Sequence, residues 1–269
     1  MKNPITMAKN RLRILSEDEI EILYGRPRFT QKERAQYFTL SQIETDLLEE
    51  LRSVRSQTYF ILQLGYFKAR HLFFIFDFRE VEEDVNYILQ QYFPHAKMDD
   101  LSSVNRRTRM RQRQLILKLC NYQNCDAGQR VKLKIKARQA AMVCSKPIYV
   151  FRELLQHLLE QRIVAPGYSF MQDAVADALA YEQKRLIAIV RDHLKPSDVQ
   201  SLKSLLSDSQ GLYEITLLKR EPKDFSLKEI GHEINRGKNI CDLYCLAKDL
   251  LPHFSISNEN IKYYASLVT

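Results

Sequence analysis

Apolar positions recur along this chain at the spacing of one helix face. Val81, Val85, Ile88, Leu89 and Tyr92 fall at i, i+4, i+7, i+8 and i+11, and Pro94 closes the run. Leu154, Leu155, Leu158 and Leu159 form a second stripe after Pro147, and Val175, Leu179, Leu186, Ile187 and Val190 a third. Helix starts are marked as well. Ser16 with Glu19, Thr30 with Glu33, Ser41 with Glu44, Ser169 with Gln172, Ser197 with Gln200 and Ser226 with Glu229 each place a hydroxyl three residues before a Glu or Gln. That reciprocal pair satisfies N–H groups which the first turn of a helix leaves open. The pattern predicts an all-α chain of multi-helix bundle subdomains, with helices packing on helices.

Tyr59 to Arg70 reads as a helix dense in aromatics with Gly65 inside it. An interior Gly costs about 1 kcal/mol relative to Ala, so close packing of another helix is the expected reason for it. Tyr59, Phe60, Tyr66, Phe67, Phe73, Phe74, Phe76 and Phe78 are too many to face solvent and are assigned to the core rather than to base stacking. One segment is ambiguous: Val131, Leu133, Ile135 and Ala137 alternate with Lys132, Lys134, Lys136 and Arg138 at the strand period of two. A β-ribbon is therefore open there. Asp126 with Gln129 supplies an Asp-led cap, and the run continues into Gln139, Ala140, Ala141 and Met142, so we read it as helix. Seams at Pro94 to Asp100 and Ser207 to Ser226 divide the chain into 1–95, 96–206 and 207–269. Within the second seam, Ser207 to Gly211 reads as an exposed loop and Tyr213 to Leu218 as a short strand. The last helix, from Ser257, stops on Leu267-Val268-Thr269 without Gly, Pro or a basic last turn, so it is expected to continue beyond a cut end.

Composition agrees with this outline. Seven Gly and eight Pro in 269 residues are few for a turn-rich β fold, and 45% hydrophobic with 28% charged residues are globular values. Cys120, Cys125, Cys144, Cys241 and Cys245 read as free thiols in a reducing compartment, with Cys241 and Cys245 one helical turn apart, where small buried residues often sit. Their spacing does not suit a zinc site. No apolar run approaches a membrane span, the longest being Leu72 to Phe76, and no apolar leader follows Lys2, Lys9, Arg11 and Arg13.

Charge changes the picture most. Between Ser103 and Pro147 there are twelve Lys or Arg residues against the single acid Asp126, a block of +11 in a chain of +8, so the remainder is acidic by three. Such a concentrated field is the footprint of a polyanion partner. Ser102 or Ser103 can cap a helix running to about Asn121. Its N-terminal half is polar except for Met110, while Leu115, Ile116, Leu117 and Leu119 can anchor the other half in a core. That is the build of a helix-turn-helix-like reader, whose first residues meet base edges. Arg106, Arg109 and Arg113 share one face with Arg107 and Arg111 beside it, and the planar guanidinium suits guanine or phosphate. Lys132, Lys134, Lys136 and Arg138 read as phosphate contacts, which position without specifying.

Catalytic signatures are missing: no G-x-x-x-x-G-K-[ST], G-x-S-x-G or H-E-x-x-H string occurs. Glu80, Glu82, Glu83 and Asp84 open a helix, where acids favour the dipole, and His157, His193, His232 and His253 have no nucleophile placed by spacing. A DNA-binding module leads, a stand-alone helical protein-interaction or regulatory module is the alternative, and a metal-dependent nuclease comes last.

The string Leu15 to Thr30 (LSEDEIEILYGRPRFT), then Tyr37-Phe38, Gln63 to Ala69 (QLGYFKA), Tyr92-Phe93-Pro94, Pro147, Arg162 to Gly167 (RIVAPG) and Tyr263 to Leu267 (YYASL), resembles the N-terminal region of Tn-three family replicative transposases. The resemblance implies helical domains that bind the transposon's terminal inverted repeats as double-stranded DNA, in the bacterial cytosol. It implies no catalytic residue, metal or cofactor in this chain, since Mg²⁺ belongs with a far C-terminal acidic-triad domain. It leaves room for a homodimer formed through that missing remainder.

Overall fold

The computed structural model describes residues 12–205, 208–209, 212–213, 218 and 221–266. Among these residues the fold is all-α. The helices are α1 (Glu17–Tyr24), α2 (Gln31–Phe38), α3 (Gln42–Glu49), α4 (Val54–Arg70), α5 (Glu82–Tyr92), α6 (Arg106–Cys120), α7 (Ala127–Val143), α8 (Pro147–Glu160), α9 (Tyr168–His193), α10 (Pro196–Leu205), α11 (Leu227–Phe254) and α12 (Asn258–Ser266). Short 3₁₀ turns at Phe78–Val81 and Met98–Asp100 precede α5 and α6. Asp208–Ser209 and Leu212–Tyr213 pair antiparallel as β1 and β2. Residues 214–217 of the strand expected up to Leu218, residues 207, 210 and 211 of the expected loop and the end at 267–269 lie outside the described residues; Leu218 is in a turn, and Asp208–Ser209 are strand in place of the expected loop.

Local chemistry explains most helix starts. Ser16 and Thr30 complete both halves of their capping boxes with Glu19 and Glu33. Glu44 accepts from the Ser41 N–H at 2.8 Å, and the Glu229 N–H donates to Ser226 Oγ at 3.3 Å. Two boxes are corrected. Pro196 takes the first position of α10, which moves the cap to Lys195, whose N–H donates to Asp198 at 3.0 Å. In α9 helical geometry already begins at Tyr168, the Phe170 and Met171 N–H groups donate to the Gly167 carbonyl, and the Gln172 amide donates to the Leu12 carbonyl instead.

The chain forms two compact units: residues 1–137 with 147–177, and residues 138–146 with 178–269. In the first, α4 is the central helix. Phe60, Ile61, Leu62, Leu64, Tyr66 and Phe67 are fully buried, against Phe38 of α2, Val85 and Ile88 of α5 and Ile116 of α6. The expected aromatic core is present, with Phe73 and Phe74 only partly covered. Gly65 is where α2 comes closest: a Cβ there would stand 2.4 Å from the Phe38 ring. Leu154 and Leu158 of α8 are buried together with Leu133, Phe151, Met171 and Val175, whereas Leu159 is exposed. In the second unit Asn260 is fully buried and its amide donates to the Ala141 and Met142 carbonyls, closing groups that the end of α7 leaves open. Helix α11 buries no residue, so Cys241 and Cys245 are exposed, contrary to their expected burial.

Glu83 and Asp84, two of the acids that open α5, have partners in the first unit. Asp84 accepts from Tyr66 Oη at 2.6 Å and from Arg34 Nε at 2.7 Å, and Arg34 also pairs with Glu83. Burial, reinforced by the adjacent carboxylate, pushes the Tyr66 phenol far above its ordinary value of 10. Above that value the unfolded chain has lost this proton and the native chain has kept it. The unfolded state then binds fewer protons, so stability falls as pH rises, by about 1.4 kcal/mol per pH unit from this group. Urea midpoints measured between about pH 9 and about pH 11 should show that fall, and Tyr66→Phe should flatten it.

Candidate nucleic-acid interface

Helix α6 starts later than its serines suggest. Asn105 is the cap, its Oδ1 accepting from the Thr108 N–H at 2.8 Å, while Ser102 Oγ accepts from Arg55 at 2.6 Å. Val104 is buried just ahead of the cap and fixes the entry of the chain. Two anchors hold the helix. Gln112 is buried and donates to the carbonyl and hydroxyl of Ser56 on α4, both at 2.8 Å, and Ile116 and Leu117 sit in the core. The helix ends on Asn121 in the left-handed conformation.

This anchoring divides the arginines between two faces. Arg107 and Arg111 are exposed and continue through exposed Gln114 and Lys118, at i, i+4, i+7 and i+11. They form one open cationic stripe along the helix. Arg106, Arg109 and Arg113, together with Met110, line a groove of about 490 Å³ whose other residues include Tyr59, Gln63, Phe74 and Ile75. The face that these three share is therefore half-enclosed. Arg113 is the most withdrawn: its guanidinium lies 4.6 Å from the Phe73 ring centre and donates to Asn124 Oδ1 at 2.9 Å. Burial pulls its pKa below the ordinary guanidinium value. Among the described residues no carboxylate lies within 4 Å of any of the five arginines of α6.

Residues 121–126 join α6 to α7, a longer connection than the three or four residues of a tight helix-turn-helix. They are pinned by a parallel bridge, the Gln123 N–H donating to the Arg162 carbonyl at 2.8 Å and the Val164 N–H to the Gln123 carbonyl at 2.9 Å. The ambiguous 131–138 run is helical. Asp126 caps α7 through the Gln129 N–H at 2.8 Å, and Leu133, Ala137, Ala140, Ala141 and Cys144 are buried at helical spacing while Val131 and Ile135 are exposed. Its cations are less free than those of α6. Lys134 pairs with Asp177 at 3.3 Å and Lys136 with Glu153 at 3.7 Å, and Arg138 lies 4.5 Å over the Tyr181 ring. Lys132 is exposed.

Gln114 and Lys118 extend the exposed stripe beyond the arginines. The signal for them is the i+7 and i+11 continuation from Arg107. The five cysteines are free thiols, and no group of His, Cys, Asp or Glu that could hold a metal ion occurs among the described residues. No helix there is long and apolar enough to cross a membrane.

A family model described as Domain of unknown function (DUF4158) matches residues 14–178. The chain belongs to this DUF4158 family. The match takes in α1 to α8 and the first turns of α9, so both basic helices fall inside the DUF4158 region. No curated protein matches the chain.

Proposed function

We propose that this chain is the DNA-binding N-terminal region of a Tn-three family transposase, recognising the terminal inverted repeats of a transposon as duplex DNA in the bacterial cytosol. The observation that carries the reading is the open stripe of Arg107, Arg111 and Lys118 on a helix locked into the core through Gln112, Ile116 and Leu117. Exposed cations on a rigid support pay little ordering entropy when they meet phosphates. The arginine face toward Met110 and Ile75 adds groups able to reach base edges. Membership of DUF4158, a domain found in Tn-three family transposases, supports the assignment, as do the matching strings from Leu15 to Gly167. In this reading the chain binds and does not cut, and Mg²⁺ is needed only by an acidic-triad domain elsewhere.

Fluorescence anisotropy with a transposon-end duplex, a scrambled duplex and heparin tests it. The end duplex should bind at least about tenfold more tightly than the scrambled one. Equal affinity for all three would reduce the face to a nonspecific basic patch, and nicking of supercoiled plasmid with Mg²⁺ would favour a nuclease instead.

One observation favours the alternative, a protein-interaction module. Leu227, Ile230, Ile234, Tyr244 and Leu251 are exposed along α11 and share one heptad register, interrupted by Gly237, Cys241 and Lys248, a face of the kind that pairs helices. No affinity for either duplex, with self-association lost on Ile234→Asp, would support that reading over the first.

A further inference from the structure

We infer that a second site in the first unit, a pocket of about 320 Å³ between α6, the start of α7 and residues 164–167, binds a phosphate monoester. Arg113 and Arg130 both line it, with Tyr24, Phe73, Asn124 and Cys125, and no Asp or Glu does. Each arginine is fixed by uncharged neighbours. Arg113 lies over Phe73 and donates to Asn124, and its Nε is enclosed without an acceptor. Arg130 lies 5.1 Å from the Phe170 ring centre and beside the Cys125 thiol. Neither has a carboxylate within 4 Å among the described residues.

The Arg113 guanidinium, drawn out of water, needs a counter-charge, since its desolvation is otherwise uncompensated, and the exposed Arg130 brings a second positive charge to the same cavity. Two guanidiniums facing one cavity match a dianion. A phosphate monoester near neutral pH carries close to two charges and three free oxygens, which suit paired guanidinium donors better than the single charge of a carboxylate or a phosphodiester. Tyr24 Oη, also on the wall and without a partner, stays protonated because burial pushes its pKa up, so it is a donor of the right sense for an oxyanion. Phe73, Phe74 and Pro166 make the remaining wall apolar enough for the carbon skeleton of an ester. The site goes beyond duplex binding: it uses none of Arg107, Arg111 and Lys118 and shares only Arg113 with the arginine face toward Met110, whereas Arg130 lies outside that face.

Isothermal titration of the full chain with inorganic phosphate, at low chloride, is the test. Saturable 1:1 binding with Kd below about 1 mM is expected. Arg130→Gln, at an exposed position, and Arg113→Gln should each weaken it by at least about tenfold, while the Arg107→Gln/Arg111→Gln variant should leave it within about twofold. Two competition pairs separate the sources: adenosine monophosphate against adenosine, and a 5′-phosphorylated strand against its 5′-hydroxyl form. Displacement by the phosphorylated strand alone assigns the pocket to a strand end; displacement by the monophosphate alone assigns it to a free ester. No saturable heat up to about 10 mM, or equal loss in the Arg107/Arg111 variant, overturns the inference. An unaltered chain that binds the duplex but takes up no phosphate removes this inference alone, and one that takes up phosphate but no duplex removes the DNA reading alone.

Discussion

Affinity for duplex DNA should fall by about 10³- to 10⁴-fold as salt rises from about 50 to about 200 mM. The size follows from contact number. Roughly six to eight phosphates neutralised at about 0.9 counterions each give a slope of log K against log salt of roughly −5 to −7. The structure ranks the groups that generate this slope. Arg107, Arg111 and Lys118 are exposed, and among the described residues no carboxylate lies within 4 Å of them, so in the proposed reading each meets phosphate without first releasing a partner. Lys134 and Lys136 already hold Asp177 and Glu153. Those pairs are half-exposed and are worth about 0–1 kcal/mol, so they can open, but part of the gain from a phosphate is cancelled. Changing Arg107, Arg111 and Lys118 together to Gln should therefore flatten the slope by about 2.7, and Lys134→Gln/Lys136→Gln by less than the roughly 1.8 of two free contacts. Anisotropy titrations at four salt concentrations measure both. A larger change from the α7 pair than from the α6 stripe would move the interface onto α7 and sink the ranking.

Elements whose signals are local were legible before any coordinates. The apolar face from Val81 to Tyr92 and the boxes at Ser16 and Thr30 involve residues within a few positions of one another, and they fold as their spacing predicts. Ser169 and Ser197 matched the same motif and failed, because the neighbouring Gly167 and Pro196 decide where those helices begin. In α7 charged residues happened to alternate with apolar ones, which imitates a strand; the helical register shows once the small residues Ala137, Ala140 and Ala141 are counted as core beside Leu133. What remained hidden is long-range. Arg113 looked like any other arginine of the basic block, and only the tertiary fold brings Phe73 beneath it. Asp177 and Glu153, which occupy two of the lysines, also come from other helices. The exposure of Cys241 and Cys245 has the same origin, since a helix can carry small residues at helical spacing and still have no core to bury them in.

Asp84→Ala should destabilise the first unit by about 3–5 kcal/mol, a large part of the roughly 5–15 kcal/mol that holds a domain folded. Asp84 is 6% exposed and accepts from two groups that have no other way to be satisfied inside the core, the Tyr66 hydroxyl and Arg34 Nε. Truncation leaves the Arg34 guanidinium, whose side chain is 13% exposed, with only Glu83 at the surface, and leaves a fully buried phenol without an acceptor. Glu83→Ala removes the exposed arm of the same arginine and should cost less than about 1 kcal/mol. Asp84→Asn retains one acceptor oxygen but presents an amide to a donor, and should fall between the two. Urea unfolding of the three variants gives the order directly. Helix α6 hangs on this core through Gln112, Ile116 and Leu117, so Asp84→Ala should lower the fraction of chain competent for DNA while leaving the salt slope of the folded fraction unchanged. A variant that unfolds no more easily than Glu83→Ala would show that Tyr66 and Arg34 find other partners. The carboxylate would then be incidental to the support under the arginine stripe.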